Sequence, residues 1–300
     1  MSASCPARAD LVHTNWDFCP STPAAIIFTV LFALTTSAHL WQAIFYKKTY
    51  CWVIVGSGLA QTLNYIFRII SIKDPDSLSM YTAWEFNDSL APNNTSEALL
   101  KCDLGRMVWN YIPDAKIYRI TAWRFSTYFV ILDIIALIIQ VAGASSAAGN
   151  THVDQQVLNA IHIYMGGVGF QEFFILVFSF FAIKFHRTIL QQVRQGVEGV
   201  SSALPLLYAI YAVLLLITMR IIFRLCEYAQ GFKSSIPTHE AYQYCIDSLP
   251  MLGALVILNV LHPGRIMPGE DSNLPSRKKR KLEGICNKSE KVSGSSRLTV

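Results

Sequence analysis

Six long apolar runs divide the chain, near 24–46, 51–72, 126–145, 159–183, 203–225 and 246–261. Most reach the roughly 20 residues that a helix needs to cross a bilayer core. A seventh, weaker run covers Ser77 to about Pro92. It closes on Leu90-Ala91-Pro92 and passes into Asn93-Asn94-Thr95-Ser96-Glu97. The stretch from Ala98 to Pro113 then carries Lys101, Asp103 and Arg106, a poor face for lipid. Three readings stand open for it: an outer loop, a short helix shielded by its neighbours, or a fault in the gene model. The first run starts too far in and is too long for a signal peptide, and Lys47-Lys48 follow it, so it reads as a retained anchor.

Basic residues orient the runs, because cytoplasmic loops are enriched in Lys and Arg. Lys47 and Lys48 place the first loop inside; Lys184, Arg187 and Arg194 place the loop after the 159–183 run there too. Arg106, Lys116, Arg119 and Arg124 agree only if the chain crosses once more between Lys73 and Lys116. The expected fold is an all-α membrane protein: a seven-transmembrane-helix bundle with the N-terminus outside, the C-terminus cytoplasmic and an atypical third span. The expected division is an outer segment 1–22, a membrane domain 23–264 and a cytoplasmic tail 265–300. The tail is polar and expected to be disordered. Its basic run, Arg277, Lys278, Lys279, Arg280 and Lys281, is placed to meet anionic inner-leaflet lipid.

Composition agrees: 52% of the 300 residues are hydrophobic and 15% charged, against about 25% charged in soluble proteins. Several chemistries lack their residues. There is no phosphate loop, no Gly-x-Ser-x-Gly elbow, no clustered histidines, and no lysine in the last run to hold retinal. The receptor signatures Asp-Arg-Tyr and Asn-Pro-x-x-Tyr are missing. The expectation is a binding or transport protein, not an enzyme, with no cofactor and no metal. Nucleic acid is not an expected partner, since the one basic run is short and lacks interleaved aromatics.

Charges inside apolar runs are the candidate chemistry. Arg220, Arg224 and Glu227 fall within about 60° of one another on a helix. A charge at the bilayer centre costs at least about 2.5–3.5 kcal/mol, so this face turns toward a cavity or a partner. Arg68 near the end of the second run, with Glu240 and Asp247 entering the last, belongs at the same outer mouth. These six residues form either a headgroup site or an ion-pair network, and the two are compatible. Carboxylates beside apolar faces suit an ammonium head, and arginines suit phosphate or carboxylate heads. Deeper in, Asp133 and Gln140 are seven apart and share a face; Gln171 and Glu172 lie beside Gly166-Gly167 and Gly169. Asp133 and Glu172 are the candidates for a proton-linked carboxylate. Cys5 and Cys19 either pair as a disulfide or stay free. Asn87, Asn93 and Asn94 head N-x-Ser/Thr acceptor patterns, which belong outside the membrane.

A family resemblance rests on Arg220-x-x-x-Arg224-x-x-Glu227-Tyr228-x-x-Gly231, Glu240-x-x-x-Tyr244-x-x-Asp247-x-x-Pro250 and His262-Pro263-Gly264. Tyr65-x-x-Arg68, Asp133 with Gln140 and Gly143, and Gly167 with Gln171 fit as well. Over most of residues 20 to 265 the chain resembles the fungal RTA-like membrane proteins, also called the lipid-translocating exporter family. The resemblance implies seven spans and a role in moving or releasing amphipathic lipids, sphingoid-base-like or sterol-like, with resistance to toxic amphiphiles. It implies the plasma membrane, or alternatively an endomembrane or the vacuolar membrane. Two positions depart from the pattern: Asn64 stands where the family has Gly, and the third run breaks at 93–97. The competing class is a seven-span sensor of membrane stress that signals through its tail; a scaffold without ligand is a third.

Overall fold

The computed structural model describes residues 16, 19–46, 51–112, 116–117, 120–148, 155–229 and 239–266. The long helices are α1 (Thr22–Tyr46), α2 (Cys51–Lys73), α3 (Leu78–Tyr111), α4 (Ala122–Ala148), α5 (Gln155–Arg194) and α6 (Ala203–Ala229). The last helical segment runs through α7 (Glu240–Tyr242), a π-helical stretch Gln243–Ser248 and α8 (Leu249–Val260), and a short α9 (Pro263–Ile266) follows. Two two-residue strands, β1 (Lys116–Ile117) and β2 (Ile120–Thr121), pair antiparallel between α3 and α4.

Neighbours in sequence are neighbours in space from α1 to α6; α6 then packs on α8, and α8 returns to α1. Seven helical segments thus close a ring. Polar side chains stitch its last joint: His39 Nε2 donates to Leu255 O (3.0 Å), Gln42 Nε2 to Asn259 O (2.9 Å) and Asn259 Nδ2 to Thr35 O (3.1 Å). The His-Pro-Gly turn completes it. His262 stacks on Tyr46, with ring centroids 5.0 Å apart, and lies 3.5 Å from Cys51 Sγ.

Among the described residues, six segments are long and apolar enough to cross a membrane: those beginning at Thr22, Cys51, Ala122, Gln155, Val200 and Glu240. Ile27, Leu34, Trp41, Ile138, Phe173, Leu215 and Val260 face outward, while Phe32, Phe178, Phe185, Ile210, Ile217 and Met251 fill the interior. Apolar side chains on both the inside and the outside of a bundle are the mark of a lipid environment. The chain is a multi-pass membrane protein. At 1.5 Å per residue, the 40 residues of α5 span about 60 Å, twice a bilayer core. One end of α5 therefore stands clear of the hydrocarbon.

Of the three readings open for the third run, the helix is the one observed, and it is long rather than short. No loop interrupts it at 92–97; α3 is helical from Leu78 to Tyr111. It is absent from the six apolar spans because it carries too many polar and charged residues, and of these Asp88, Glu97, Lys101 and Asp103 are buried within the bundle. Asn87, Asn93 and Asn94 consequently lie on a helix instead of the outer loop that acceptor patterns favour; Asn87 Nδ2 donates to Ala83 O (2.8 Å).

Two local devices set helix ends. The turn from α5 to α6 uses Gly196 at φ 75° and Gly199 at φ 78°. Nothing lies within 4 Å of a Cβ built on Gly196, so Gly196→Ala tests backbone strain alone. It is expected to destabilise by about 1 kcal/mol, read as an earlier thermal transition in detergent. The π stretch precedes Pro250, whose ring would clash with the carbonyl of Ile246 in a regular helix and which has no N–H to offer it. The wider turn, closed by Leu249 N donating to Tyr244 O, relieves this. Ser248 Oγ donates to Gln243 O (3.1 Å) within the same stretch.

Candidate functional site: two buried charge clusters along one helix

Alternating helices bring the start of α1, the end of α2, the first half of α3, the end of α6 and the π stretch to one end of the ring. Arg68, Asp88, Arg220, Arg224, Glu227, Glu240 and Asp247 meet there. All of them except Glu240 are buried. Asp247 is the central carboxylate: Arg220 Nε lies 2.5 Å from its Oδ1, and Arg224 Nη2 pairs with its Oδ2. Arg224 also pairs with Asp88 and, at 3.1 Å, with Glu227. Arg220 Nη2 donates to the backbone carbonyl of Asp88 (2.9 Å). Asp88 further accepts from Asn64 Nδ2 (2.8 Å) and Gln243 Nε2 (3.1 Å). Tyr65 hydrogen-bonds Ser248 beside them.

Arg68 does not snorkel to an interface. It is 1% exposed, donates to Gln243 Oε1 (2.7 Å) and Glu240 Oε1 (2.9 Å), and sits against three rings. Its guanidinium carbon is 5.4 Å from the centroid of Trp16, 4.8 Å from Trp84 and 5.0 Å from Tyr244. Trp16 stacks on Trp84 at 4.8 Å, so this one residue ahead of α1 lies against the charge cluster. Glu240 fastens the start of α1 as well: both its oxygens accept from Ser21 N, at 2.9 and 2.8 Å. An acidic group at a helix start is favourable for the helix dipole too. Cys19 is disulfide-bonded, and Cys5 lies outside the described residues, as do Arg277 to Lys281.

The second cluster lies deeper. Glu97 and Lys101, 0% and 1% exposed, are a turn apart on α3 and pair at 3.1 Å. Lys101 also pairs with Asp133 of α4, and Gln171 of α5 donates to Glu97 Oε1. Gln140 Nε2 donates to Gln171 Oε1 (2.7 Å). Glycines let the helices come this close: a Cβ on Gly143 would meet Tyr164 N at 2.5 Å, and one on Gly167 would meet Gln140 Cγ at 2.9 Å. Along α3, Asp88 and Lys101 are about 20 Å apart. The helix that hydropathy passes over is the one shared by both clusters.

The six residues expected at the outer mouth are therefore brought together, and so are Asp133, Gln140 and Gln171. Glu172 stands apart: it is half-buried and hydrogen-bonded to Thr218 of α6. Sequence reasoning missed Asp88 and treated Glu97 and Lys101 as interruptions. Their signal is present in the chain, an acid-base pair at i, i+4 on a stretch too polar to face lipid.

The family described as "RTA1 like protein" matches residues 53–270. A protein of Emericella nidulans called "Probable lipid transporter atnI" is 39% identical over 271 residues, which cover 87% of this chain and 70% of that one. The "Lipid-translocating exporter-like protein RTA1" of Leptosphaeria maculans is 25% identical over 93% of this chain, which spans 57% of that protein's length. The "Sphingoid long-chain base transporter RSB1" of Saccharomyces cerevisiae is 20% identical over 85% of this chain and 75% of its own. No solved structure matches. The matched stretch takes in α3, both charge clusters and the π stretch, and on it the chain belongs to the RTA1-like family.

Proposed function

We propose that this chain moves amphiphiles with a charged head and an apolar tail, sphingoid-base-like or sterol-like, across a membrane, and so confers resistance to toxic ones. In this reading it is a transporter and not an enzyme, with seven spans including α3, the N-terminus outside and the plasma membrane as its site. The observation that carries the reading is a dense charge cluster held inside a ring whose outer surface is apolar. Heads can exchange with the cluster while tails remain among the helices or in lipid. The kinship with proteins named as lipid transporters points the same way.

Within the cluster the residues differ in how free they are. Asp247 is 1% exposed and held by two arginines, so a ligand would have to displace both. Among the described residues Glu227 is paired with Arg224 alone, and it is 9% exposed; Glu240 has 14% of its side chain open. These two carboxylates are the proposed first contacts for a cationic head, with Arg68, Arg220 and Arg224 behind them for anionic ones. The tail run Arg277 to Lys281 is proposed to rest on anionic inner-leaflet lipid.

The test is release of a fluorescent sphingoid base from cells expressing the chain, beside Glu227→Gln. Loss of one charge-assisted contact of about 1.5–3 kcal/mol predicts release slowed about tenfold or more, at an unchanged surface amount. Wild-type release by the variant would remove Glu227 from the site. Release by the wild type no faster than by cells lacking the chain would remove transport itself and leave the sensor reading.

A further inference from the structure

The deep cluster carries an imbalance of charge that its surroundings among the described residues do not correct. Glu97 and Asp133 bring two carboxylates, and Lys101 brings one ammonium. Asp133 is 4% exposed, and its Oδ2 receives no donor among the described residues. The cluster at the helix ends also has one more carboxylate than arginines, but there Ser21 N, Asn64 and Gln243 supply extra donors. Among the described residues, the donors that α4 and α5 bring to the deep site are Ser126, which is spent on the backbone carbonyl of Lys101, with Gln140 and Gln171, and Gln171 is spent on Glu97. Cys102, Asp103 and Arg106, all on α3, are the remaining titratable groups in reach. An uncompensated charge in such a place costs several kcal/mol, and a buried group relieves it by taking up a proton.

We propose that Glu97, Lys101 and Asp133 form a proton-binding site that links translocation to a proton gradient. The site holds one proton, shared between Glu97 and Asp133, while Lys101 keeps its own three and pairs with whichever carboxylate is ionised. Loading adds the proton to a carboxylate oxygen from water on one side, and unloading returns it to water on the other. Glu172, set apart on the α6 side, has no part in it. The coupling rests on the transport reading; the proton site itself does not.

Charge arithmetic makes the variants move in opposite directions. The purified full chain in detergent at neutral pH is expected to show the infrared carbonyl stretch of a protonated carboxyl at this site. Glu97→Gln or Asp133→Asn leaves one carboxylate against Lys101, a balanced pair that folds, and the band is lost. Lys101→Met leaves two carboxylates and no cation, and the band grows about twofold. A band that is the same in all three variants as in the wild type, or absent throughout, overturns the proton site. The second arm uses the chain in phospholipid vesicles with a fluorescent single-chain amine. A pH gradient should speed its movement several-fold in the wild type and not in Glu97→Gln. Movement indifferent to the gradient, with the band present, overturns the coupling. No movement at all in the wild type overturns the transport reading, and the infrared result still decides the proton site.

Discussion

Asp247→Ala is expected to leave little folded protein. Its carboxylate is the one anion that both Arg220 and Arg224 contact, and all three side chains are almost wholly enclosed. Among the described residues, removing it takes from Arg220 the carboxylate it pairs with and from Arg224 one of its three, and breaking a buried pair costs about 3–5 kcal/mol, a large part of an ordinary stability of about 5–15 kcal/mol. The loss spreads because Arg224 also pairs with Asp88, which ties α3 to α6. Asp247→Asn keeps the shape and acceptor oxygen but loses the charge, and should fall between Ala and wild type. The measurement is the monodisperse fraction of detergent-extracted protein over a temperature series. Two variants that melt with the wild type would mean that the arginines are neutralised from elsewhere.

Gly143→Val should be the second severe change. The Cβ contacts of 2.5 Å to Tyr164 N, 2.8 Å to Tyr164 Cα and 2.9 Å to Ala160 O are all with α5 backbone, which has no rotamer to turn away. Relief requires α4 and α5 to part by about 1 Å, to the usual 3.5–4.0 Å between carbons. That movement would stretch the 2.7 Å bond from Gln140 to Gln171, and with it the support of Glu97. Overpacking of this kind costs about 1–3 kcal/mol. Gly166→Ala is the matching control, since nothing lies within 4 Å of its Cβ, and it should melt as the wild type does. Equal losses at both positions would point to helix flexibility rather than close approach.

The outer walls of this fold were legible because lipid-facing helices must be apolar, and apolar runs are what hydropathy counts. The angular clustering of Arg220, Arg224 and Glu227 likewise revealed the inward face of α6. What hydropathy could not show was α3, because it measures compatibility with lipid and α3 meets mainly other helices. Periodicity failed there too, for a geometric reason. Asp88 and Glu97 are nine residues apart, which at about 100° each is half a turn round the helix. The first half of α3 turns its charge toward Asn64 and the arginines of α6, the second toward Asp133 and Gln171. No single polar stripe runs the length of the helix. The π stretch was equally hidden, though Pro250 one turn inside an apolar run was its signal. Trp16 had none: a tryptophan in a polar leader gives no sign of the ring it will stack on.

The polar interior of α3 also bears on how the chain is made. Six charged residues lie between Leu78 and Tyr111: Glu85, Asp88, Glu97, Lys101, Asp103 and Arg106. At about 2.5–3.5 kcal/mol for each charge near the middle of a span, even three of them would outweigh what its apolar residues return on entering lipid. If α3 crosses the bilayer, it therefore does not partition into it alone as it leaves the ribosome. Its partners are distant in synthesis: Asp133 follows Lys101 by 32 residues, and Arg224 follows Asp88 by 136. The helix has to wait, sheltered by the insertion machinery or at the membrane surface, until α4 and then α6 arrive. On that premise assembly order is set by charge pairing across the ring, and the last helices to be synthesised seat the third.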